Sequence, residues 1–109
     1  MELPNADRAV IDASKVRDYL LSETHPVWRF KAALFRSLGY EAVRWEVLSD
    51  DLMALGRGGP ATAGQPSAYG LKYEVDGRLT GPSGRTALFR SVWIVGADGT
   101  PRFVTAFPR

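Results

Sequence analysis

Cysteine is absent from this sequence of 109 residues, and histidine occurs once. Without cysteine the chain has no disulfide framework, no thiolate metal site and no cysteine nucleophile. A single imidazole excludes histidine-rich metal sites and any mechanism that needs two histidines. The carboxylates do not follow the spacing of a calcium-binding loop. We therefore expect neither a metal ion nor a cofactor.

Long apolar runs are also missing. The longest, Val92–Val95 followed by Gly96 and Ala97, is far shorter than the roughly 20 apolar residues of a membrane helix. The first residues, Met1–Asn5, have neither the basic start nor the apolar stretch of a signal peptide. Hydrophobic residues make up 45% of the chain and charged residues 24%, as in globular domains. The sequence predicts one soluble, cytoplasmic domain without membrane contact.

Positive charge is concentrated in the second part of the chain. Residues 1–60 carry eight basic and nine acidic side chains, a net charge of −1, whereas residues 61–109 carry six basic and three acidic ones, a net charge of +3. Eleven of the fourteen basic residues are arginine, whose planar fork suits phosphate groups. Two interpretations remain open: an anion-binding C-terminal part, or an ordinary solvated surface.

Helical signals fill the first half of the chain. Ser14 is expected to cap a helix over residues 15–22. Pro26 and Gly39 mark the start and the end of a second helix, and a third is expected over residues 49–56. The second helix has an apolar stripe at helical spacing, formed by Val27, Phe30, Leu34 and Leu38.

Alternating apolar and polar residues predict strands in the second half. Residues 57–68, rich in Gly, Pro and Ala, are expected to form a loop before them. Strands are expected over residues 70–79, 85–95 and 101–107. Turns at Gly81–Gly84 and Asp98–Gly99 connect them. A short strand around Val10 is expected to join one edge of the sheet.

These elements predict an α+β fold. Its helical part spans residues 12–56, its loop 57–68 and its sheet 69–108, within a single domain over 1–109. Helices that precede an antiparallel meander pack on one of its faces. We therefore expect N-terminal helices on a sheet of three to four antiparallel strands.

Two residues near the second helix are candidates for chemistry. His25 directly precedes Pro26, so the positive end of the helix dipole lowers the pKa of its imidazole and keeps the ring neutral, as a general base requires. The alternative is a structural histidine that ties the preceding loop to the helix. Lys31 borders the aromatic residues Trp28 and Phe35, where it either extends over apolar surface or holds a phosphate.

Further candidates lie on the strands. Lys72 is on the polar face of the first strand, and Arg85 and Arg102 each open a later one. Thr105 lies between two phenylalanines on a face that reads as apolar. Its hydroxyl either bonds a neighbour or orients a ligand. Basic side chains on paired strands can line one face or rim of the sheet.

Several motifs give the chain a resemblance to a known family. They span nearly its whole length: Tyr19-Leu20-Leu21, His25-Pro26, Arg29, Lys31, Leu38-Gly39-Tyr40, Tyr69-Gly70, Lys72-Tyr73-Glu74-Val75, Leu79 to Arg85, Val92-Trp93-Ile94 and Pro101 to Ala106. With them the chain resembles an uncharacterised family of bacterial toxin-like domains of the barnase/EndoU/colicin/RelE ribonuclease-toxin fold. Such modules have N-terminal helices on a four-stranded antiparallel sheet. They act beside a small antitoxin or at the C-terminus of larger toxins.

The resemblance implies roles at five positions, which are His25, Lys31, Arg85, Arg102 and Thr105. We expect four residues to act in catalysis, namely His25, Arg85, Arg102 and Thr105. Lys31, Lys72 and Arg29 are expected to bind RNA. The chain departs from the family pattern at three positions, with Trp28 in place of glycine, Ser83 in place of asparagine and Phe107 in place of tyrosine. Phe107 therefore lacks a hydroxyl that would donate a proton.

The leading prediction is a metal-independent endoribonuclease toxin of a toxin–antitoxin or polymorphic-toxin system. Its substrate would be RNA, whose own 2′-hydroxyl is the nucleophile, and its partner a small cognate antitoxin or immunity protein. Exposed tryptophans would stack bases. One alternative is a non-catalytic domain that binds a small partner protein through an exposed patch of Trp28, Phe35 and Trp45. Another is a plain nucleic-acid-binding module.

Overall fold

The chain forms its helices first and its strands second. The structure, a computed structural model, describes residues 2–21 and 29–109. The helices are α1 (Ala13–Lys15), which continues as a π-helical turn over Val16–Leu20, then α2 (Arg29–Ser37) and α3 (Trp45–Gly58). Single 3₁₀ turns lie at Ala6–Arg8 and Ala42–Arg44.

Four strands follow in one antiparallel sheet with the order β1-β2-β3-β4. They are β1 (Ala61–Ser67), β2 (Gly70–Thr80), β3 (Thr86–Val95) and β4 (Pro101–Pro108). This confirms the α+β fold with N-terminal helices and an antiparallel meander. Val10 adds a single parallel bridge beside Arg102 at the edge of β4, where a short strand was expected.

The predicted loop over residues 57–68 is wrong for most of its length. Its first two residues end α3, and Ala61–Ser67 form β1, which pairs with β2. Glycine and proline disfavour a central strand, but an edge strand tolerates them because only one of its sides needs backbone hydrogen bonds. The register shifts between Ala63 and Pro66, which accommodates the proline.

The helix boundaries also differ from the predicted ones. Asp12, and not Ser14, caps α1, since its carboxylate accepts hydrogen bonds from the Ser14 N–H at 3.0 Å and the Ser14 hydroxyl at 2.9 Å. Helix α3 begins at Trp45, four residues before the predicted Ser49. The end of α2 is as predicted, because Gly39 follows it with a left-handed φ of 99° that favours glycine. The predicted start at Pro26 lies outside the described residues.

The buried face of α2 is rotated from the predicted stripe. Phe35, which has no exposed surface, stacks on Phe89 of β3 with ring centroids 5.1 Å apart. Leu38 is buried as predicted, whereas Leu34 is half-buried at the margin of the core. Val27 and the side chain of Phe30 lie outside what the structure describes.

Trp93 is the largest side chain in the core between the helices and the sheet. Its indole N–H donates to the Ser91 hydroxyl at 2.8 Å, and this hydroxyl donates to the Val75 carbonyl at 3.0 Å. Ser91 and Trp93 therefore mark the face of β3 that the helices cover. Val92 and Ile94 alternate with them and point to the opposite face, which we call the outer face.

A bulge in β4 determines which side chains reach the outer face. Val92 pairs with Thr105 and Trp93 with Phe103, so Val104 is one extra residue in β4. Strict alternation would place Phe103, Thr105 and Phe107 on one face. The bulge instead leaves Phe103 in the core and turns Thr105 to the outer face. The threonine hydroxyl therefore lies outside the core that holds Phe103.

Candidate functional site

Lys31 reaches the outer face at the edge of β4. Its half-buried side chain donates a hydrogen bond from Nζ to Thr105 Oγ1 at 3.3 Å. The same ammonium lies 5.7 Å from the centre of the Phe107 ring, within range of a cation–π interaction. Burial lowers the pKa of Lys31 from its ordinary value. This arrangement provides a partly dehydrated cation beside a hydroxyl.

Thr105 and Phe107 also line an open cavity of about 490 Å³ on the outer face. Most of its lining is apolar or aromatic, and its polar groups are those of Thr105, Lys72 and the Tyr69 hydroxyl. The complete lining is Tyr69, Lys72, Val92, Ile94, Val104, Thr105 and Phe107. The cavity therefore combines an apolar floor with a cation on β2 and the Lys31 ammonium near β4.

Acidic side chains on this face are largely neutralised by arginine. Arg90 contacts Glu74 at 2.7 Å and Asp76 at 2.8 Å, and Arg109 lies 3.4 Å from Asp76. The hydrogen bonds from Arg90 hold the pKa of Asp76 below its usual value. Lys72 is 3.6 Å from Glu74, a longer contact than the one Glu74 makes with Arg90. Glu74 is therefore mainly the partner of Arg90.

Arg85 and Arg102 do not share a site in this fold. Arg85 lies in the turn between β2 and β3, whereas Arg102 pairs with Ile94 near the other end of β3. Nine residues separate Arg85 from Ile94, or roughly 30 Å at about 3.3 Å per strand residue. The Arg102 guanidinium contacts Asp98 at 3.4 Å. Of the predicted residues, the structure brings together Lys31, Lys72 and Thr105.

The remaining predicted residues are not tested by the geometry. His25 lies outside the described part of the chain, and so does Trp28. Arg29 begins α2, but its side chain is likewise not described. These roles remain predictions.

The predicted exposed aromatic surfaces are wrong where they are described. Phe35 and Trp93 are fully buried, and Trp45 is half-buried and packs against the core. They are buried because they face the interface between helices and sheet. The patch of Trp28, Phe35 and Trp45 therefore cannot form as predicted, and Trp93 is not available to stack on bases.

Tyr69 is the site residue that the sequence analysis did not single out. It occurs in the turn between β1 and β2 and is 84% exposed. The available signal was an aromatic residue before a glycine at a predicted strand start. That signal does not separate an exposed ring from a core one.

Neither a metal centre nor a membrane helix is found in the part of the chain that the structure describes. Within residues 2–21 and 29–109, no three His, Asp or Glu side chains group together as metal ligands. No described helix is both long and apolar enough to cross a membrane.

Comparison with known proteins identifies a family and a similar solved structure. No curated protein matches the chain. The fold is similar to a chain of a contact-dependent growth inhibition toxin–immunity protein complex from Klebsiella pneumoniae 342, with a TM-score of 0.70 and 26% sequence identity. This similarity covers 95% of the present chain and 96% of the other. The family described as Domain of unknown function (DUF6883) matches residues 2–109, so the chain belongs to the DUF6883 family.

Proposed function

We propose that this domain is the toxin of a toxin–immunity pair and that it acts by cleaving RNA. Its similarity to a chain of a growth-inhibition toxin–immunity complex, over 95% of its length, supports a toxin-related function. The observation that carries the RNA-cleaving part is the Lys31 ammonium, which lies at the edge of the outer-face cavity and is hydrogen-bonded to Thr105. A partly desolvated cation beside an apolar cavity suits a phosphate with an adjacent base.

The proposed reaction uses the substrate's own 2′-hydroxyl. The 2′-oxygen attacks the adjacent phosphorus, its proton passes to a base, and the bond from phosphorus to the 5′-oxygen breaks. The products are a 2′,3′-cyclic phosphate and a 5′-hydroxyl, so the leaving oxygen needs a proton. The lowered pKa of Lys31 makes its ammonium a better proton donor for this step than an exposed lysine.

The neighbouring residues have complementary roles. The Thr105 hydroxyl accepts a hydrogen bond from Lys31, which leaves its own hydrogen to donate to a phosphate oxygen. Phe107 has no hydroxyl of its own and instead contacts the ammonium through its ring. Lys72 binds the RNA backbone on the opposite side of the cavity. His25 remains the candidate base, on the sequence argument alone.

A small cognate protein is the proposed partner. The structural neighbour comes from a toxin–immunity protein complex, and a cell that makes a toxin needs an inhibitor of it. We expect the product of an adjacent gene to bind this domain and to suppress its activity. If the domain binds this partner but cleaves no RNA, the alternative function holds, and the domain is a non-catalytic interaction module.

The first prediction concerns Lys31. Lys31→Met should abolish growth arrest on induced expression and reduce cleavage of purified RNA by at least about 100-fold, as expected when a general acid is removed. Arg36→Met is the matched control, because it removes one positive charge from the exposed side of the same helix. Circular dichroism should confirm that both variants fold.

Coexpression with the adjacent gene should restore growth. Full toxicity of Lys31→Met would remove Lys31 from the mechanism. Wild-type protein that neither arrests growth nor cleaves RNA would contradict the proposed function.

A further inference from the structure

Tyr69 is an exposed aromatic side chain held by an ordered turn. Its ring is 84% exposed, while its backbone N–H donates to the Ser67 hydroxyl at 3.2 Å. Ser67 in turn donates to the Gly70 carbonyl at 3.3 Å. Gly70 has a left-handed φ of 132°, and a Cβ there would collide with the Val95 carbonyl. The residue after Tyr69 is therefore restricted to glycine, which fixes the direction of the chain at the cavity mouth.

The surface beside Tyr69 is apolar although it faces away from the core. Val92 and Ile94 lie side by side on β3, and the bulge adds the exposed Val104 from β4. The half-buried ring of Phe107 also lines this cavity. An apolar floor with an exposed aromatic ring at its mouth offers an unpaired base a surface to pack on and a ring to stack against.

Positive charges lie on two sides of this floor. Lys72 on β2 is the register partner of Ile94, and Lys31 reaches the floor from beyond β4. Two strand spacings, roughly 10 Å, separate β2, which carries Lys72, from β4, which carries the Thr105 that binds Lys31. Phosphates on either side of one bound base would meet one lysine each.

A double helix does not fit this arrangement. Duplex RNA presents its phosphates and 2′-hydroxyls outward and keeps its bases stacked inside, so an apolar floor would gain no base contact. A single strand can turn one base onto the floor and leave its phosphates at the lysines. Among the described lining residues, only Tyr69, Lys72 and Thr105 have side-chain groups that can hydrogen-bond a base edge, and none of them is an amide or guanidinium that reads a base with two hydrogen bonds. The contact should therefore tolerate different bases.

We propose that the outer-face cavity is a subsite for one unstacked base of single-stranded RNA, with Tyr69 as its stacking residue. This inference rests on the proposed function, because it assumes that RNA is the ligand. In this inference Tyr69 binds the substrate and takes no part in the chemical step.

Fluorescence anisotropy with a short labelled 2′-O-methyl RNA tests this subsite, since that RNA lacks the nucleophilic hydroxyl and stays intact. Wild-type protein should bind the single strand more tightly than the same strand annealed to its complement. Tyr69→Ala should weaken single-strand binding by about 5- to 150-fold, the range that loss of one stacked base gives. Tyr69→Phe should retain binding. Val43→Ala is the matched control, because Val43 is also 84% exposed but lies outside this cavity.

The outcomes separate this inference from the proposed function. If Lys31→Met and Lys72→Met weaken binding while Tyr69→Ala does not, RNA remains the ligand and the base subsite is overturned. Equal affinity for single strand and duplex also overturns it. If the wild-type protein binds neither RNA at low salt, the proposed function fails together with the subsite.

Discussion

The ammonium group of Lys31 is held at reduced hydration by its neighbours. It donates to Thr105 and lies 5.7 Å from the centre of the Phe107 ring. A cation with fewer surrounding water molecules attracts an anion more strongly, because the local dielectric is lower. The same loss of water disfavours the charged form and lowers the pKa of Lys31. The charge of Lys31 is therefore expected to lower the free energy of unfolding, although the same charge would help the candidate site to bind an anion.

The second prediction follows from the sign of this pKa shift. Lys31→Met should raise the free energy of unfolding near neutral pH, because the folded protein no longer holds a desolvated charge. The gain should shrink as pH rises from the lowered pKa towards the ordinary value of 10.5, since wild-type Lys31 loses its proton first in the folded state. Urea denaturation at several pH values measures this difference.

Arg36→Met provides the control here too, because arginine keeps its charge throughout this pH range. A stability difference between Lys31→Met and wild type that stays constant with pH would contradict the expected titration. A decrease in stability at neutral pH would mean that packing of the lysine stem outweighs desolvation of its charge.

Helix α2 links the core to the site. Lys31 lies one turn before Phe35, so both point to the same side of the helix. Phe35 stacks on Phe89 and contacts Tyr40 edge-on at 6.3 Å between ring centres. Because this contact fixes the helix on the sheet, it also sets the distance from Lys31 to Thr105.

The third prediction compares two neighbouring positions of α2. Phe35→Ala should lower the free energy of unfolding by about 3–5 kcal/mol, because it leaves a cavity under a fully buried ring. Leu34→Ala should cost clearly less, since Leu34 is only half-buried. Urea denaturation of both variants measures the two values. A larger loss for Leu34→Ala would show that the helix presents its other face to the core.

The whole molecule carries its positive charge on the outer face of the sheet. Among the described residues this face has six basic side chains, Lys31, Lys72, Arg78, Arg90, Arg102 and Arg109, against two acidic ones, Glu74 and Asp76. The helical half has a slight negative charge. The net charge of +2 is therefore the sum of a positive sheet face and a slightly negative helical half, and this field would direct an anionic polymer to the sheet.

The fourth prediction concerns the salt dependence of RNA binding. The logarithm of the affinity should fall linearly with the logarithm of the salt concentration, and Lys72→Met should reduce the slope by about 0.7, the value for one phosphate contact on a single strand. Anisotropy titrations over a series of salt concentrations give the slope. Arg44→Met, an exposed charge before α3, should leave it unchanged. An unchanged slope for Lys72→Met would exclude its phosphate contact.

The sequence by itself determined the α+β fold, three of the four strands and both turns between them. These features depend on nearby residues: alternation along each strand, and Gly84 and Gly99 with left-handed φ in the turns. It also named Lys31, Lys72 and Thr105, because lysines and a hydroxyl at those positions stand out against apolar neighbours. Helix boundaries and the buried stripe of α2 were predicted less well, since periodicity alone does not fix the rotation of a helix.

Only the tertiary structure decided the remaining features, because each depends on contacts between residues far apart in the chain. Ala61–Ser67 become a strand because β2 offers an edge to pair with. The extra Val104 turns Thr105 outward, which no alternation rule predicts from one strand. Lys31 meets Thr105 across 74 residues of sequence, whereas Arg85 and Arg102, which looked equivalent in the sequence, lie at different ends of the sheet. Strand register therefore decides which cations share a site.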